Sequence, residues 1–424
     1  MKLKTEHIFK LFLLFLPFTQ ALTVNIFFPL KISEVLLVLL IFILLQARFK
    51  RDFINSLSRI KVLFFFMALV TISFLVNFFW KYPYTLKIVD FRVSPEIDSF
   101  LRLGYIYLNI LGFIIGLYYV GKNLQLLKYW LYGAIAAALY SWYLVFSSAI
   151  GIPYLKLFGM EEYPQTIMGM VRSGTFKEGN FFGLYLILSG SIAFYLKRKK
   201  IAWFLFLTVL TTFSTISIIS AVVFILIYLK NVFLRLASLR IFIISIPFVI
   251  IGSILLVNSK FYEKYVEQKL FTPMATLTPA NLSKVDRYLT GKIAFEAGYD
   301  NPVFGVGPFN YGLHYDYYNN IDDIVENQTD WSRNYFKRKN KRAITNNVYL
   351  EVWAEYGVLG FIFFCSFLIS TLWLSIKNRS LAITAGLLAL YISLNAFPSF
   401  IMLFLWVFLC VPYAHFYNKN APIK

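Results

Sequence analysis

Charged residues are scarce in this sequence. They make up 15% of the 424 residues, and 59% are hydrophobic, whereas soluble globular domains carry about 25% charged residues. The two cysteines, Cys365 and Cys410, fall inside apolar runs, which argues against a disulfide framework. The three histidines, His7, His314 and His415, are not spaced as zinc ligands. The composition therefore excludes an ordinary soluble protein and favours neither a disulfide scaffold nor a metalloenzyme.

Long apolar runs recur along nearly the whole chain. A helix needs about 20 apolar residues to cross a ~30 Å hydrocarbon layer, and in lipid each backbone N–H must be paired within its own segment. The runs are 8–24, 32–46, 62–80, 100–120, 129–150, 180–196, 201–214, 216–229, 241–257, 358–376, 381–395 and 399–416. They predict an all-α integral membrane protein with about 12 transmembrane helices. We interpret the first run as an uncleaved helix, because no convincing small-residue cleavage site follows it.

Basic residues set the predicted orientation. Lysine and arginine number 41 against 21 aspartate and glutamate residues, and most occupy short turns such as 48–61 and 197–200. All these turns fall on one side if twelve runs cross, and the positive-inside rule makes that side the cytoplasm. We therefore expect a multi-pass protein of the cytoplasmic membrane with both termini cytoplasmic. Its positive charge needs no nucleic-acid partner.

The stretch 201–230 lies between two basic turns, so it must cross an even number of times. Thirty helical residues span about 45 Å, which is short for two full crossings. We expect two short or bent helices there, with a re-entrant turn near residues 214–217.

The same orientation leaves long segments outside. They are 81–99, 151–179, 258–357 and a short link near Pro398. Loops as long as 258–357 are usually functional, and this one is expected to contain short helices, as in 284–297. The chain thus divides into an N-terminal transmembrane bundle (1–257), a large extracytoplasmic loop (258–357) and C-terminal transmembrane helices (358–424).

Two isolated arginines stand in the outside segments. Arg172 directly precedes a predicted helix, and Arg287 lies about twenty residues before a glycine-rich turn at 305–310. Arginine stays charged, and its planar fork matches two phosphate oxygens at once. Two such forks at a membrane surface are suited to a pyrophosphate, and an ordinary structural ion pair is the alternative for each.

Two further features of the large loop stay open. The cationic run 337–342, which includes Lys341 and Arg342, is either a solvated run balanced by nearby acids or a rim for an anionic ligand or lipid headgroups. The aromatic residues suit either a sugar-binding groove or an interfacial belt. They are Tyr311, Tyr315, Tyr317, Tyr318, Trp331, Tyr335 and Tyr349.

Three motifs in chain order carry a family resemblance. The first is RSGTF at 172–176 with Asn180; the second is Arg287 followed by DNPVFGVGPF at 300–309; the third runs from NNVYLE at 346–351 to EYGVLG at 355–360. Together they resemble the O-antigen ligase and polymerase superfamily of bacterial envelope polysaccharide assembly. The resemblance covers roughly residues 170–420.

That resemblance implies an inverting, metal-independent glycosyltransferase without a cofactor. Its donor would be an oligosaccharide on undecaprenyl diphosphate or a similar polyprenyl carrier, and its acceptor a glycan or a lipid-linked glycan. Arg172 and Arg287 would hold the donor diphosphate, and the turn containing Gly305 and Gly307 would shape the loop over the site. A chain-length regulator is a further expected partner.

Two departures favour a polymerase of O-antigen or capsule type over a lipopolysaccharide ligase that acts on lipid A-core or another acceptor. Family members commonly carry a His-Asn pair where this chain has Asn346 and Asn347. Asparagine can orient a hydroxyl but cannot take its proton. Many members also carry a Ser-Arg pair where this chain has Ser214 and Thr215.

Candidate site residues follow from these motifs. The catalytic candidates are Arg172, Arg287, His314, Glu178 and Asn346. The substrate-binding candidates are Asn180, Gly305, Gly307, Asn347, Lys341, Arg342 and Glu351. Glu351 and Glu355 lie one helical turn apart, on one face. A departing diphosphate can also dispense with a general base, which leaves positioning and electrostatics.

Two rival classes remain. A flippase for lipid-linked oligosaccharide is favoured by the helix count, but the ionisable residues gather outside the apolar runs rather than along a pathway. A transferase with a soluble nucleotide-sugar donor would need a cytoplasmic domain, and the predicted cytoplasmic segments are only short turns.

Overall fold

The computed structural model of the protein describes residues 5–25, 29–45, 53, 57–79, 94–160, 164–167, 169–230, 271–278, 281–326, 329–336 and 343–417. These residues are mostly helical, as predicted. The predicted run 241–257 and the cationic run with Lys341 and Arg342 lie outside the described residues.

The helices are numbered here in chain order. They are α1 (Thr5–Phe15), α2 (Ile32–Leu45), α3 (Lys61–Phe79), α4 (Pro95–Lys122), α5 (Leu127–Ile150), α6 (Gly179–Tyr195), α7 (Lys199–Thr208), α8 (Thr215–Tyr228), α9 (Leu282–Asp300), α10 (Tyr311–Tyr318), α11 (Asp330–Phe336), α12 (Val348–Lys377), α13 (Leu381–Ser393), α14 (Leu403–Leu409) and α15 (Val411–Tyr417).

Four helical segments of the described chain are long and apolar enough to cross a membrane. They are Ser58–Phe79, Pro95–Lys122, Leu124–Ile150 and Val348–Lys377. Shorter apolar helices accompany them at Ile32–Leu45, Gly179–Tyr195, Thr215–Tyr228, Leu381–Ala396 and Leu403–Ala414. The helical, membrane-protein character is confirmed, while the count of about 12 crossings, the outside location of the large loop and the three-part domain division stay predictions.

Two small strand pairs depart from a purely helical chain. β1 (Thr23–Asn25) pairs with β2 (Pro29–Lys31), and β3 (Thr166–Ile167) pairs with β4 (Met170–Val171), both antiparallel. Gly169 lies between β3 and β4 with φ 78°, a backbone conformation that glycine adopts without strain. The apolar-run pattern carries no signal for such short hairpins.

The stretch 201–230 does contain two short helices. α7 ends at Thr208, a 3-10 turn covers Val209–Thr212, and Phe213 adopts a left-handed conformation with φ 46°. α8 then begins beside Ser214, whose hydroxyl accepts a hydrogen bond from the Ser217 backbone N–H at 3.4 Å. Ser214 thus supplies a partner for an otherwise unpaired N–H at a helix start.

The chain forms two compact units. The first comprises Met1–Phe64, Tyr105–Tyr228 and Cys365–Lys424, and the second comprises Phe65–Gly104 and Leu229–Phe364. In the first unit, helices pack through small and hydroxyl residues: a Cβ on Gly133 would lie 2.2 Å from the Leu14 carbonyl oxygen, and the Ser220 and Ser393 hydroxyls are 2.8 Å apart. Close approach and interhelical hydrogen bonds are how membrane helices associate.

The second unit has its own apolar core. α9 contributes a stripe at helical spacing, with Val285, Leu289 and Ile293 fully buried. Around it lie buried side chains from α10, α11, α12 and the connecting segments: Val306, Tyr311, Tyr315, Ile321, Val325, Phe336, Ala343 and Ala354. This core fixes α9, and therefore Arg287 on it, against the segments that carry the second and third motifs.

Candidate functional site

The Arg287 helix and the Asn346 motif meet in the second unit. Asp286 of α9 is 7% exposed and accepts a hydrogen bond from the Asn346 side-chain amide at 3.3 Å. One turn later, the Thr290 hydroxyl donates to the Thr345 carbonyl at 3.0 Å. The neighbouring Arg287 is exposed, and the helix that carries it is anchored to the Asn346 segment on either side of it.

The two asparagines have different structural settings. Asn346 has φ 53°, a left-handed conformation that asparagine tolerates better than most residues. The Asn347 side-chain oxygen accepts hydrogen bonds from the backbone N–H groups of Tyr349 and Leu350, at 3.0 and 3.2 Å. Asn347 therefore caps α12, a stabilising contact that exists without substrate.

The glycine-rich turn packs against a break in α12. Gly357 has φ 67° and ψ −171°, which interrupts the helix and leaves preceding carbonyls without their helical partners. Val306 N–H donates to the Ala354 carbonyl at 2.8 Å, and Gly307 N–H donates to the Glu355 carbonyl at 3.0 Å. The second and third motifs are thus one structure, joined through backbone groups. The predicted start of the C-terminal helices at 358 falls at this break.

Glycine is required at both contact points. A Cβ on Gly305 would lie 2.4 Å from the Glu355 carbonyl carbon, and a Cβ on Gly357 would lie 2.6 Å from the Pro302 carbonyl oxygen. Real Cβ atoms do not approach backbone this closely, and both residues also have positive φ. The motif glycines therefore secure a backbone-to-backbone contact.

Polar residues of α3 and α4 hold the same turn. The Ser73 hydroxyl lies 2.6 Å from the Phe304 carbonyl and 2.9 Å from the Glu355 carbonyl. The Asn77 amide donates to the Gly305 carbonyl at 3.2 Å, and the Ser99 hydroxyl donates to the Pro308 carbonyl at 2.8 Å. Sequence reasoning missed these residues; the available signal was a serine and an asparagine four positions apart in an apolar run.

A buried ionic cluster lies next to the turn. Arg102 of α4 forms an ion pair with Glu351 of α12, and its guanidinium lies 5.0 Å from the centroid of the Phe309 ring. Glu355 also interacts electrostatically with Arg102 and accepts a hydrogen bond from the Tyr356 hydroxyl at 3.1 Å. Glu351 and Glu355 are 3% and 2% exposed. The two glutamates thus share one face of α12, as predicted, and that face is next to Arg102.

His314 is buried in α10. Its side chain is 1% exposed, and burial lowers the pKa of the imidazole to about 4. A general base works best when its pKa lies near the working pH. This environment favours a neutral, packed ring, and the predicted catalytic role of His314 stays untested.

The Arg172 segment belongs to the first unit. Arg172 is half-buried, and its Nε donates to the Gln165 side-chain oxygen at 3.3 Å. The following turn is anchored by Phe176, which packs against Phe182 and Phe404. The segment thus places Arg172 on a supported turn just before α6.

The other predicted residues of this segment flank the start of α6. Asn180 is 6% exposed, and Glu178 directly precedes α6 and is half-buried. The proposed partnership of Arg172 with Arg287 stays a prediction.

The candidate aromatic residues differ in burial, and Tyr318, Tyr335 and Tyr349 are half-buried. Tyr311 and Tyr315 are 1% and 2% exposed and belong to the core, so they do not line an accessible groove. Tyr317 and Trp331 are exposed. Among the described residues, no group of three or more His, Cys, Asp or Glu side chains is placed to hold a metal ion.

The apolar helices and the polar site define a multi-pass membrane protein. Its charged loop region is held together by backbone hydrogen bonds. A family model described as O-antigen ligase matches residues 201–365, a range that includes Arg287, the glycine-rich turn and the break at Gly357. The match confirms the predicted resemblance to the O-antigen ligase and polymerase superfamily over this part of the chain, and supports a function of that type. No curated protein matches the sequence significantly.

Proposed function

We propose that this protein is a repeat-unit polymerase of O-antigen or capsule type. It transfers glycan from a polyprenyl-diphosphate carrier to an acceptor glycan at the outer face of the cytoplasmic membrane. An acceptor hydroxyl attacks the anomeric carbon with inversion, the bond from that carbon to the diphosphate oxygen breaks, and the carrier diphosphate leaves. The hydroxyl proton passes to water or to the departing diphosphate.

One observation supports this proposal above the others. Within the range matched by the O-antigen ligase family, the Arg287 helix contacts Asn346, and the glycine-rich turn is hydrogen-bonded to the segment that follows Asn346. Motifs separated by some 60 residues thus belong to one packed region, which includes the exposed Arg287. Such convergence is expected of a site and not of independent loops.

The chemistry assigned to this region is mainly electrostatic. Negative charge builds on the departing diphosphate, and preorganised cations aimed at it lower the barrier. We assign this role to Arg287 and Arg172, with Lys341 and Arg342 as weaker helpers. Asn346 is suited to orient an acceptor hydroxyl, since an amide both donates and accepts hydrogen bonds. Neither a metal nor a cofactor is required by this scheme.

A base is a secondary element of the scheme. Burial makes His314 a weak base, and Glu178 is the remaining candidate near Arg172. Because a diphosphate is already a good leaving group, positioning and charge stabilisation carry most of the rate enhancement.

Complementation of a deletion strain tests the role of Arg287. We expect Arg287→Ala, and to a lesser degree Arg287→Lys, to reduce polymer formation about 10²–10³-fold in rate, as for other electrostatic stabilisers. Chain length on the carrier lipid is measured by gel electrophoresis, with protein level checked by immunoblot. Arg333→Ala, an exposed arginine on α11, is the matched control. Full-length polymer from both Arg287 variants at normal protein level contradicts the assignment.

The deletion strain itself separates the rival functions. A polymerase defect leaves single repeat units on the carrier. A ligase defect leaves long chains on the carrier and none on lipid A, which is the reading closest to the name of the matched family. A flippase defect leaves single units at the cytoplasmic leaflet.

A further inference from the structure

An open cleft of about 320 Å³ lies on the second unit, away from Asn346. It is lined by Phe295, Glu296, Tyr299, Asp300 and Tyr318. Small-molecule sites in proteins begin at about 300 Å³, so the cleft suits a short segment of a larger ligand.

Helical spacing builds the cleft from the end of α9. Phe295 and Tyr299 are four residues apart, as are Glu296 and Asp300, so each pair shares a face. The opposite face of the same turns is buried through Ile293, Ala294 and Ala297. Phe295 and Tyr299 are 55% and 70% exposed, which is unusual for rings that could have packed inward.

Phe295 and Tyr299 form an aromatic platform, and a tryptophan from α12 lies beside it. The Trp353 indole N–H donates to the Phe295 carbonyl at 3.1 Å, and its ring lies roughly parallel to that of Phe295 at 6.2 Å. Gly298 makes this approach possible, because a Cβ there would lie 2.2 Å from the indole nitrogen. Trp353 therefore anchors the Phe295 backbone and lies beside its ring.

Both carboxylates of the cleft keep acceptor capacity. Asp300 accepts one hydrogen bond, from the Tyr318 hydroxyl at 2.7 Å. Within the described part of the chain, Glu296 has a distant contact with Lys292, at 3.9 Å. A carboxylate offers about four lone-pair sites, so hydroxyl or ammonium donors of a ligand can be bound at the cleft.

We propose that this cleft is an acceptor subsite that binds a neutral sugar or an amino sugar of the growing glycan. The inference rests on the proposed transferase function. A sugar ring presents an apolar C–H face for the aromatic platform and hydroxyl donors for the carboxylates, and hydrogen bonds to charged acceptors are the stronger ones. Uronic acids and anionic lipid headgroups are repelled by the same two carboxylates.

Binding to the full-length protein in nanodiscs tests the subsite. The probe is a set of short fragments of the host's own polymer, released from the carrier by mild acid, with affinity measured by titration and saturation-transfer NMR. We expect Tyr299→Ala and Asp300→Asn each to weaken binding about tenfold, the loss of one strong contact. Phe271→Ala and Asp323→Asn, exposed residues outside the cleft, stay within about twofold.

The outcomes separate the subsite from the enzyme. Equal affinities in all variants, no binding by the wild type, or equally tight binding of a hyaluronan tetrasaccharide overturns the subsite. An effect of Tyr299→Ala without one of Asp300→Asn also overturns it, since that pattern indicates interfacial anchoring. Binding uses no donor and no turnover, so the Arg287 complementation result stands or fails independently.

Discussion

Two pairs of carboxylates in the second unit share a spacing and differ in burial. Glu351 and Glu355 are four residues apart on α12, as Glu296 and Asp300 are on α9. The first pair is almost fully buried beside Arg102, whereas the second opens onto a cleft. A buried carboxylate must be compensated by its own protein, while an exposed one can bind an external donor. Environment therefore distinguishes the two pairs: Arg102 compensates the first pair, and the second is the pair that we propose for binding.

Breaking the buried pair should have the largest effect on stability. Arg102→Ala leaves two buried carboxylates without their cation, which typically costs about 3–5 kcal/mol. The expected result is poor accumulation and a clearly lowered melting temperature in detergent. Replacing both Arg102 and Glu351 by methionine should cost less than the sum of the two single changes. Additive effects would show that the ion pair does not hold this region.

Disrupting the backbone contact between Gly357 and Pro302 should reduce stability nearly as much. Gly357→Ala places a Cβ 2.6 Å from the Pro302 carbonyl oxygen at positive φ, and we expect a loss of about 2–4 kcal/mol. Thermal unfolding measures it. Gly104→Ala is the control, because no atom of the described residues lies within 4 Å of a Cβ there and alanine is the better helix residue. Equal melting temperatures for the two variants would contradict the contact.

Buried His314 should make the stability of the folded protein depend on pH. Its folded-state pKa of about 4 lies below the ordinary value of 6.5, so the unfolded chain takes up the proton first as the pH falls. Stability contributed by the neutral ring is therefore present above pH 6.5 and lost toward pH 4. Between pH 7 and pH 5 the loss is about 2 kcal/mol. The free energy of unfolding of His314→Gln should depend less on pH than that of the wild type. An unchanged dependence would contradict the lowered pKa of His314.

The exposed pair should contribute least to stability. Glu296→Gln removes a charge that is about one-third exposed and only distantly paired with Lys292, and such surface changes usually stay within about 0.5 kcal/mol. The melting temperature should therefore match that of the wild type even where binding of glycan fragments weakens. A large destabilisation would mean that the cleft carboxylates are structural, and the contrast with Glu351 and Glu355 would disappear.

Apolar runs located many helices to within a few residues. The run 62–80 became α3 at Lys61–Phe79, and the run 381–395 became α13 with its 3-10 end at Ala396. This works because lipid forces long apolar segments to pair their backbone internally. The three motifs could also be identified from the sequence, since arginine, glycine and asparagine stand out in an apolar chain.

Contacts between distant residues could not be predicted in this way. In the sequence, Arg102 is only a charge near the start of the run 100–120, and its partner Glu351 is 249 positions away. The fit of the glycine-rich turn to Gly357 depends on backbone carbonyls, which have no sequence signature. Burial likewise separated Tyr311 and Tyr315 in the core from Tyr299 at the cleft.

Reconstituted elongation is the most direct test of the central claim, that Arg287 stabilises a departing carrier diphosphate. Purified protein in proteoliposomes is given its lipid-linked repeat unit in the presence of EDTA, and product chain length and released carrier diphosphate are followed together. If Arg287 has this role, wild type and Arg333→Ala elongate the glycan with matching release of carrier, and Arg287→Ala loses both. Undiminished elongation by Arg287→Ala, or elongation that stops on metal removal, would contradict it.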